Sequence, residues 1–337
     1  MTASLHDLRP TASPSLEPLV QLTAADMNAV NQVILSRMQS QVPLIPELAG
    51  HLIAGGGKRM RPMLTCASAA LCDYTGSRHH KLAAAVEFIH TATLLHDDVV
   101  DGSGMRRGKR TANLIWGNPS SVLVGDFLFS RAFELMVEDG SLKVLKILSH
   151  ASAVIAEGEV AQLTAQRQIA TNEDTYLHII EAKTAALFSA ACKIAPVVAE
   201  AGDDAEQALE AFGRNLGIAF QLVDDAIDYT SEEATSGKSL GDDFREGKMT
   251  LPIILAYARG QEADRAFWRE AVSGDRVSDD DLAHAIRLLR DTQAISDTLE
   301  RARLYARRAL DAIAGFSNGK ARAALTEAVE FAVARAY

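Results

Sequence analysis

LLHDDVVD, from Leu94 to Asp101, closes an apolar stretch with one imidazole and three carboxylates. How it is read decides the fold. If the segment is helical, Asp97 and Asp101 stack one turn apart on one face, and Asp98 stands about 100° to the side. The residues upstream favour that reading, because EFIHTATLLHDD spaces its apolar side chains as a helix does and shows no two-residue alternation. LVDDAID, from Leu222 to Asp228, repeats the arrangement with Asp224, Asp225 and Asp228. Acids this close repel one another, and neither set sits at a helix start, where the dipole would relieve them. They are solvated, or paired with nearby Arg106 and Arg107, or held by a bound cation. Two matching sets, each behind an apolar helix, favour the cation. Mg²⁺ suits them, since it takes carboxylates, waters and phosphate oxygens in near-octahedral array.

Helical periodicity extends outward from these segments over nearly the whole chain. It predicts helices over about 16–39, 44–54, 59–73, 79–101, 120–138, 141–167, 173–195, 204–229, 250–259, 279–313 and 319–335. No strand stands out. Glycine-rich or polar breaks at 55–57, 101–104, 117–121, 139–140 and between Tyr229 and Thr250 separate the helices. None is long enough to be a linker, so the expectation is an all-α protein with a single domain over 1–337. KLAAAVEFIHTATLL and KTAALFSAACKIAPVV are apolar on more than one face and belong in the middle of a many-helix bundle. Their alanines permit close helix approach, or leave room for a channel.

Composition excludes several classes of function. At 337 residues and 48% hydrophobic, the chain buries a large core. A net charge of -10 opposes nucleic-acid binding. Cys66, Cys72 and Cys192 are few and unpaired in spacing, which suits a reducing compartment and ordinary packing. MTASLHDLRPTASPS has no apolar core of a secretory signal, and no apolar run reaches the roughly 18 residues that cross a bilayer. The expected location is cytoplasmic, with any membrane contact transient and tied to release of an apolar product.

Basic residues cluster beside the acids in glycine-rich contexts. GGGKRMRP carries Lys58, Arg59 and Arg61; GMRRGKRT carries Arg106, Arg107, Lys109 and Arg110; GKSLGDDFREGKMT carries Lys238 and Lys248. Surface salt bridges account for Arg59, Lys109 and Arg110 as well as anything else does. For the others, a ligand bearing phosphate oxygens beside a metal explains why cations and acids share one region. No GxxxxGK[ST] or strand-led GxGxxG is present, so this is not a nucleotide loop.

These residues, in this order, resemble the trans-prenyl diphosphate synthases, and within them the long-chain polyprenyl synthases that make octaprenyl, solanesyl or decaprenyl chains. The likeness runs through GGGKRMRP, EFIHTATLLHDDVVDGSGMRRG, NLIWGNPSSVLVGDFLFSRAF, VIAEGEVAQL, EAKTAALFSAAC, GIAFQLVDDAIDY and GKSLGDDFREGKMTLPI. It implies the isoprenoid synthase fold, a large antiparallel bundle around a deep central cavity with the two acid sets facing each other across its mouth. It further implies repeated condensation of isopentenyl diphosphate onto an allylic diphosphate, farnesyl or geranylgeranyl, for a ubiquinone side chain, by a homodimer. Asp97, Asp98, Asp101, Asp224, Asp225 and Asp228 would hold the allylic diphosphate through Mg²⁺, three ions per site, with Asp98 and Asp225 less direct. Lys58, Arg61, His90 and Arg107 would bind isopentenyl diphosphate. Arg106, Lys183 and Lys238 would contact the allylic diphosphate, Lys248 would add charge, and Thr184 and Gln221 would stand near the reacting carbons. Leu94, Ala92 and Phe220 would wall out water beneath a mobile loop after Tyr229. FAVARAY, less basic than in many relatives, would make no diphosphate contact.

By the same likeness, positions four and five before the first acid motif set product length, and Thr93 and Ala92 are small enough to leave a tunnel open. Eight to ten isoprene units at about 5 Å each exceed 35 Å, so the floor must come from bulky residues deeper down. Phe129, Phe133 and Met136 are candidates for it, against the alternative of ordinary core. Other readings fit less well. A shorter-chain synthase would need a bulkier residue at Ala92 or Thr93. A cyclase usually carries an Asn, Ser and Glu second motif, and a di-iron oxidase needs two E-x-x-H pairs where only Glu87 with His90 is found. A non-catalytic subunit would have lost its acids, and all six are present.

Overall fold

The segment that opens the analysis lies at the end of α4, Arg78–Val100, and the other helices are placed by what packs on it. The computed structural model describes residues 14–53, 57–106, 108–230, 240–274 and 277–335. Arg107, Lys238 and most of the loop after Tyr229 lie outside them. Leu82 to Val86, Phe88, Ile89, Ala92 and Leu95 are all buried, so α4 is covered on several sides, as its alanine-rich composition predicts. Its neighbours are α1 (Glu17–Arg37), α3 (Met60–Leu71), α6 (Asn118–Asp139) and α9 (Ala186–Val198). α6 runs antiparallel to it. Arg78 pairs both Nε and Nη2 with Asp139 at 2.9 and 2.8 Å, while at the opposite end His96 meets the Val122 carbonyl at 3.2 Å.

Between these lie α2 (Leu44–Ile53), a two-stranded ladder of β1 (Met105–Arg106) and β2 (Lys109–Arg110), and the short α5 (Ala112–Trp116). Then follow α7 (Leu142–Ala165), α8 (Glu173–Ile180), α10 (Asp203–Ile227) and α11 (Asp242–Arg245). The remainder is α12 (Leu251–Arg259), α13 (Glu262–Ser273), α14 (Asp279–Asp291), α15 (Ala294–Ala312) and α16 (Lys320–Ala334). The structure is all-α apart from the small ladder, which turns at Gly108 with φ +73°.

The predicted helix over 173–195 is interrupted by one π-helical turn, Glu181–Ala185, between α8 and α9. The junction of this turn with α9 is seated on α10 by two glycines one helical turn apart, Gly217 against the π turn and Gly213 against the first turn of α9. A Cβ on Gly213 would stand 2.4 Å from the Phe188 carbonyl oxygen, and one on Gly217 would stand 2.6 Å from Ala185 Cα. A third glycine, Gly158 of α7, lets that helix approach from the other side, where a Cβ would be 2.8 Å from the Lys183 amide nitrogen. Arg214 then grips Glu181 with two bonds of 2.5 and 2.7 Å.

Two further departures from sequence-based expectation have local causes. The predicted helix over 279–313 is two helices, broken at Gln293 in a left-handed conformation with φ 56°. No glycine or proline marks that break. Residues 262–273, which none of the predicted helices covers, form α13, started by a capping box between Gln261 and Asp264 and anchored by the fully buried Trp268.

Gly217→Ala is expected to force the π turn away from α10 and cost about 1–3 kcal/mol, read as a lower urea midpoint with unchanged slope.

Candidate active site

The six aspartates divide into two kinds by burial. Asp98 is 0% exposed and Asp225 3% exposed, whereas the side chains of Asp97, Asp101 and Asp224 are 17%, 15% and 42% exposed. The helix pitch explains the split: the middle acid of each set turns inward while its neighbours stay on the wet face. Each buried acid is braced. Arg106 donates from Nε to Asp98 Oδ1 at 2.7 Å, and Asn113 Nδ2 donates to the Asp98 carbonyl at 3.1 Å. Burial pushes the Asp98 carboxyl up from its ordinary range, and Arg106 opposes the push. The Tyr176 hydroxyl donates to Asp225 Oδ2 at 2.5 Å, and Gln221 Nε2 donates to Oδ1 at 2.7 Å. Burial again raises this carboxyl well above the usual range, with the charge of Asp243 adding to it, and the two hydrogen bonds only partly offset the rise.

Two short chains of contacts join the sets. The first runs through the π turn. Lys183 Nζ lies 3.4 Å from Asp97 Oδ2 and 2.6 Å from Glu159 Oε2 of α7, and the next residue, Thr184, donates its hydroxyl to Gln221 Oε1 at 2.8 Å. Gln221 completes the path to Asp225. A π turn carries an extra residue per turn, and such insertions recur at functional sites. Here it brings adjacent side chains to opposite acid sets. The second chain runs through Lys248, whose Nζ is 3.2 Å from Asp101 Oδ2 and whose amide donates to the Asp243 carbonyl at 2.9 Å. The Asp243 amide in turn donates to Asp228 Oδ2 at 3.2 Å. Burial alone would depress the Lys248 ammonium, but Asp243, Asp101 and Glu246 outweigh it and hold its pKa above the lysine range.

Of the residues expected to bind a second anion, Arg61 and His90 stand together. Arg61 lies 3.2 Å from His90 Nε2 and stacks 4.3 Å over the Phe188 ring. Lys58 sits 4.5 Å over the Phe331 ring, and partial burial together with the nearby charge of Arg335 lowers its pKa. Arg107 and Lys238 fall outside the described residues.

The three tunnel-floor candidates do not close a deep tunnel, and the C-terminal end reaches the acids. FAVARAY was expected to make no diphosphate contact; in the structure its Arg335 donates to Asp224 Oδ1 at 2.7 Å and stacks 4.1 Å over Phe220. Phe133 is 40% exposed. It stands about 120° from the centre of the buried stripe of α6 and cannot close a tunnel within this chain. Phe129 stacks on His96 at 6.3 Å, level with the acid mouth, so it is not a deep floor either. Met136 is buried in the same core as Ala92, but only about 16 Å below Gly125, which meets His96. That depth is short of the 35 Å or so that a long chain needs.

Glu159 and Tyr176 are functional candidates that sequence reasoning did not single out. Glu159 lies in VIAEGEVAQL, beside the glycine that admits the π turn, and burial raises its carboxyl against the pull of Lys183. Tyr176 offers no signal, because its partner Asp225 is 49 positions away.

The polyprenyl synthetase family pattern matches residues 42–289. The octaprenyl diphosphate synthase of Escherichia coli is 48% identical over 258 residues, 77% of this chain and 80% of the relative. Among solved structures, a polyprenyl synthase from Caulobacter crescentus complexed with calcium and isoprenyl diphosphate has a TM-score of 0.93 at 52% identity, covering 97% of this chain and all of that one. A decaprenyl diphosphate synthase from Rhodobacter capsulatus has a TM-score of 0.92 at 50% identity, covering 96% and 100%.

Removing the Tyr176 hydroxyl leaves a buried carboxyl short of a donor. Tyr176→Phe is expected to cost about 1–3 kcal/mol, and a double-mutant cycle with Asp225→Asn should recover much of that as coupling. Simple additivity in urea denaturation would show that the bond has no weight. With the two acid sets joined through one turn, and a family pattern covering most of its length, the chain belongs to the polyprenyl synthetase family.

Proposed function

We propose that this chain is a trans-prenyltransferase that condenses isopentenyl diphosphate repeatedly onto an allylic diphosphate, farnesyl or geranylgeranyl, to give a long-chain all-trans polyprenyl diphosphate. The observation that carries the proposal is the double linkage of the two aspartate sets, through Lys183 to Asp225 and through Lys248 to Asp228. Such linkage suits a site that grips one polyanion from both sides.

The donor set fits Mg²⁺. All six candidates are hard carboxylate oxygens, and Asp98 Oδ2 is buried without a hydrogen-bond partner among the described residues. Asp97, Asp101, Asp224 and Asp228 would hold the ions, three by analogy with the family, with Asp98 and Asp225 braced behind them. Bound there, Mg²⁺ would neutralise diphosphate charge and favour its departure.

The chain's own groups account for the rest. Ionisation of the allylic ester puts new charge on the leaving diphosphate, and Lys183 and Lys248 are already fixed by acids on either side of where it must lie. Arg106 and Lys238 are assigned to the same anion. Arg61 and His90, with Lys58 and Arg107, would seat isopentenyl diphosphate so that its double bond meets the cation. Thr184 commits its proton to Gln221, which leaves oxygen lone pairs free to face positive charge on the allylic carbons. The proton lost in each condensation passes to the released diphosphate, so no protein nucleophile is needed.

A homodimer is supported by the outer face of α6, where Val122, Leu123, Phe133 and Val137 are 37%, 67%, 40% and 64% exposed. Leu123→Asp with Val137→Asp is expected to halve the mass found by light scattering. No described helix is long and apolar enough to cross a membrane, so membrane contact is assigned only to product release.

Asp97→Ala and Asp224→Ala should each lower magnesium-dependent turnover by roughly 10³-fold or more with helix content retained. Retained activity in a steady-state assay of either would sink the metal role. Product length gives a separate test. Thr93 lies one turn below Asp97 on the same face, whereas Ala92 lies below His96, toward α6. Thr93→Phe should shorten the products at little cost in stability. Ala92→Phe should shorten them and also destabilise by about 1–3 kcal/mol. Chromatography of the dephosphorylated lipids showing unchanged long chains in both would exclude a tunnel along α4.

A further inference from the structure

The opposite end of α4 holds a second group of ligating side chains that the proposed reaction does not use. Asp26 of α1, Cys66 of α3 and His79 of α4 place a carboxylate oxygen, a sulfur and a ring nitrogen within 4.8 Å of one another. His79 Nε2 lies 3.3 Å and His80 Nε2 2.9 Å from the same oxygen, Asp26 Oδ1. The two imidazoles, with centroids 4.1 Å apart, therefore converge on one point although they are neighbours in sequence. His79 and Asp97 are separated by about 27 Å along the helix axis. The group is thus independent of the acid mouth.

We propose that Asp26, Cys66, His79 and His80 form a structural zinc site that ties α1 and α3 to the start of α4. Zinc sites take four ligands of this mixture, with ligand atoms about 2.0–2.3 Å from the ion and hence about 3.3–3.8 Å from each other. The His79–Asp26 separation already meets that spacing, the ligand atoms of Asp26, Cys66 and His79 all lie within 4.8 Å of one another, and His80 Nε2 stands 2.9 Å from the shared Asp26 oxygen, so side-chain adjustment alone is needed to close the four onto one ion. A sulfur and two imidazoles select zinc over Mg²⁺, which prefers oxygen. The simpler alternative is a polar core held by histidine–aspartate hydrogen bonds around a neutral thiol. Against it stands the mixture itself, since hydrogen bonding does not call for a thiol within 4.8 Å of the carboxylate and the His79 ring nitrogen that bond each other.

The surroundings permit binding. Burial, with the charge of Asp26, holds the Cys66 thiol well above its ordinary pKa, so it is protonated in the metal-free chain. As the sulfur–zinc bond forms, the thiol proton leaves to solvent. Burial keeps His79 in its neutral, ligating form. Its Nδ1 has no hydrogen-bond partner among the described residues, so no bond on that side fixes the ring. The Asp26 and His80 side chains, 31% and 20% exposed, give the ion a route from solvent.

Cobalt provides a probe blind to the acid mouth, because only a sulfur ligand gives the intense near-ultraviolet charge-transfer band. Chelator-stripped full-length protein in excess Mg²⁺ is titrated with Co²⁺, then with Zn²⁺. The expected result is one Co²⁺ per chain with that band, displaced by Zn²⁺, together with a rise in Tm. Cys66→Ser should abolish the band, and His79→Ala and the half-buried His80→Ala should weaken binding at least roughly tenfold. Absence of the band in the unmodified chain overturns the site, as does its persistence in Cys66→Ser. Should Cys66→Ser fail to fold by circular dichroism, His80→Ala decides the matter: unchanged Co²⁺ affinity and spectrum there overturn the site.

Discussion

The close approach of the π turn to α10 is the constraint on which the site depends. Gly217 removes the side chain that would hold the turn off, Gly213 does so for the first turn of α9 that follows it, and Gly158 does the same for the turn from α7. With the backbones this near, a short threonine and a glutamine can bond directly, and a lysine one residue earlier reaches the other acid set. An ordinary α-helical register over 181–185 would rotate Lys183 and Thr184 relative to one another and break one of the two links. The geometry of the chemistry is therefore set by main-chain packing at some distance from any carboxylate.

Charge balance follows from that frame. The sequence favours acids whose repulsion is relieved by a bound cation over acids that are solvated or paired with Arg106 and Arg107. In the structure three of the four acids outside the core have a cationic partner, Lys183 for Asp97, Lys248 for Asp101 and Arg335 for Asp224, while Asp228 accepts from the Asp243 amide. The same ammonium groups are the ones assigned to the departing diphosphate. Binding of substrate and metal would then exchange partners rather than create charge in an empty pocket. Such exchange costs less reorganisation than importing a polyanion into a purely acidic mouth. Asp98 and Asp225 do not join the exchange, being held by Arg106, Tyr176 and Gln221.

Much of this is legible in the sequence because it rests on local periodicity. The burial of α4 on several sides, the pairing of Asp97 with Asp101 on one face and the inward turn of Asp98 all follow from helical spacing. What the sequence hides is long-range or non-local. The π turn lies inside a segment with uniform helical propensity. Tyr176 and Arg335 reach acids 49 and 111 positions away, and nothing local marks either. Phe129 and Phe133 look like core because they are aromatic and i, i+4 on a helix, but the buried stripe of α6 is centred elsewhere. The break at Gln293 escapes notice because it uses none of the residues that usually end helices.

Arg335 has a consequence of its own. A lone pair on Asp224 that accepts from the guanidinium cannot at the same time ligate an ion. If Asp224 ligates an ion through that same oxygen, loading the mouth and anchoring the last turn of α16 are reciprocally coupled, each weakening the other by the same factor. A spectroscopic label or affinity handle attached beyond that turn would report on occupancy of the mouth, and would also perturb it.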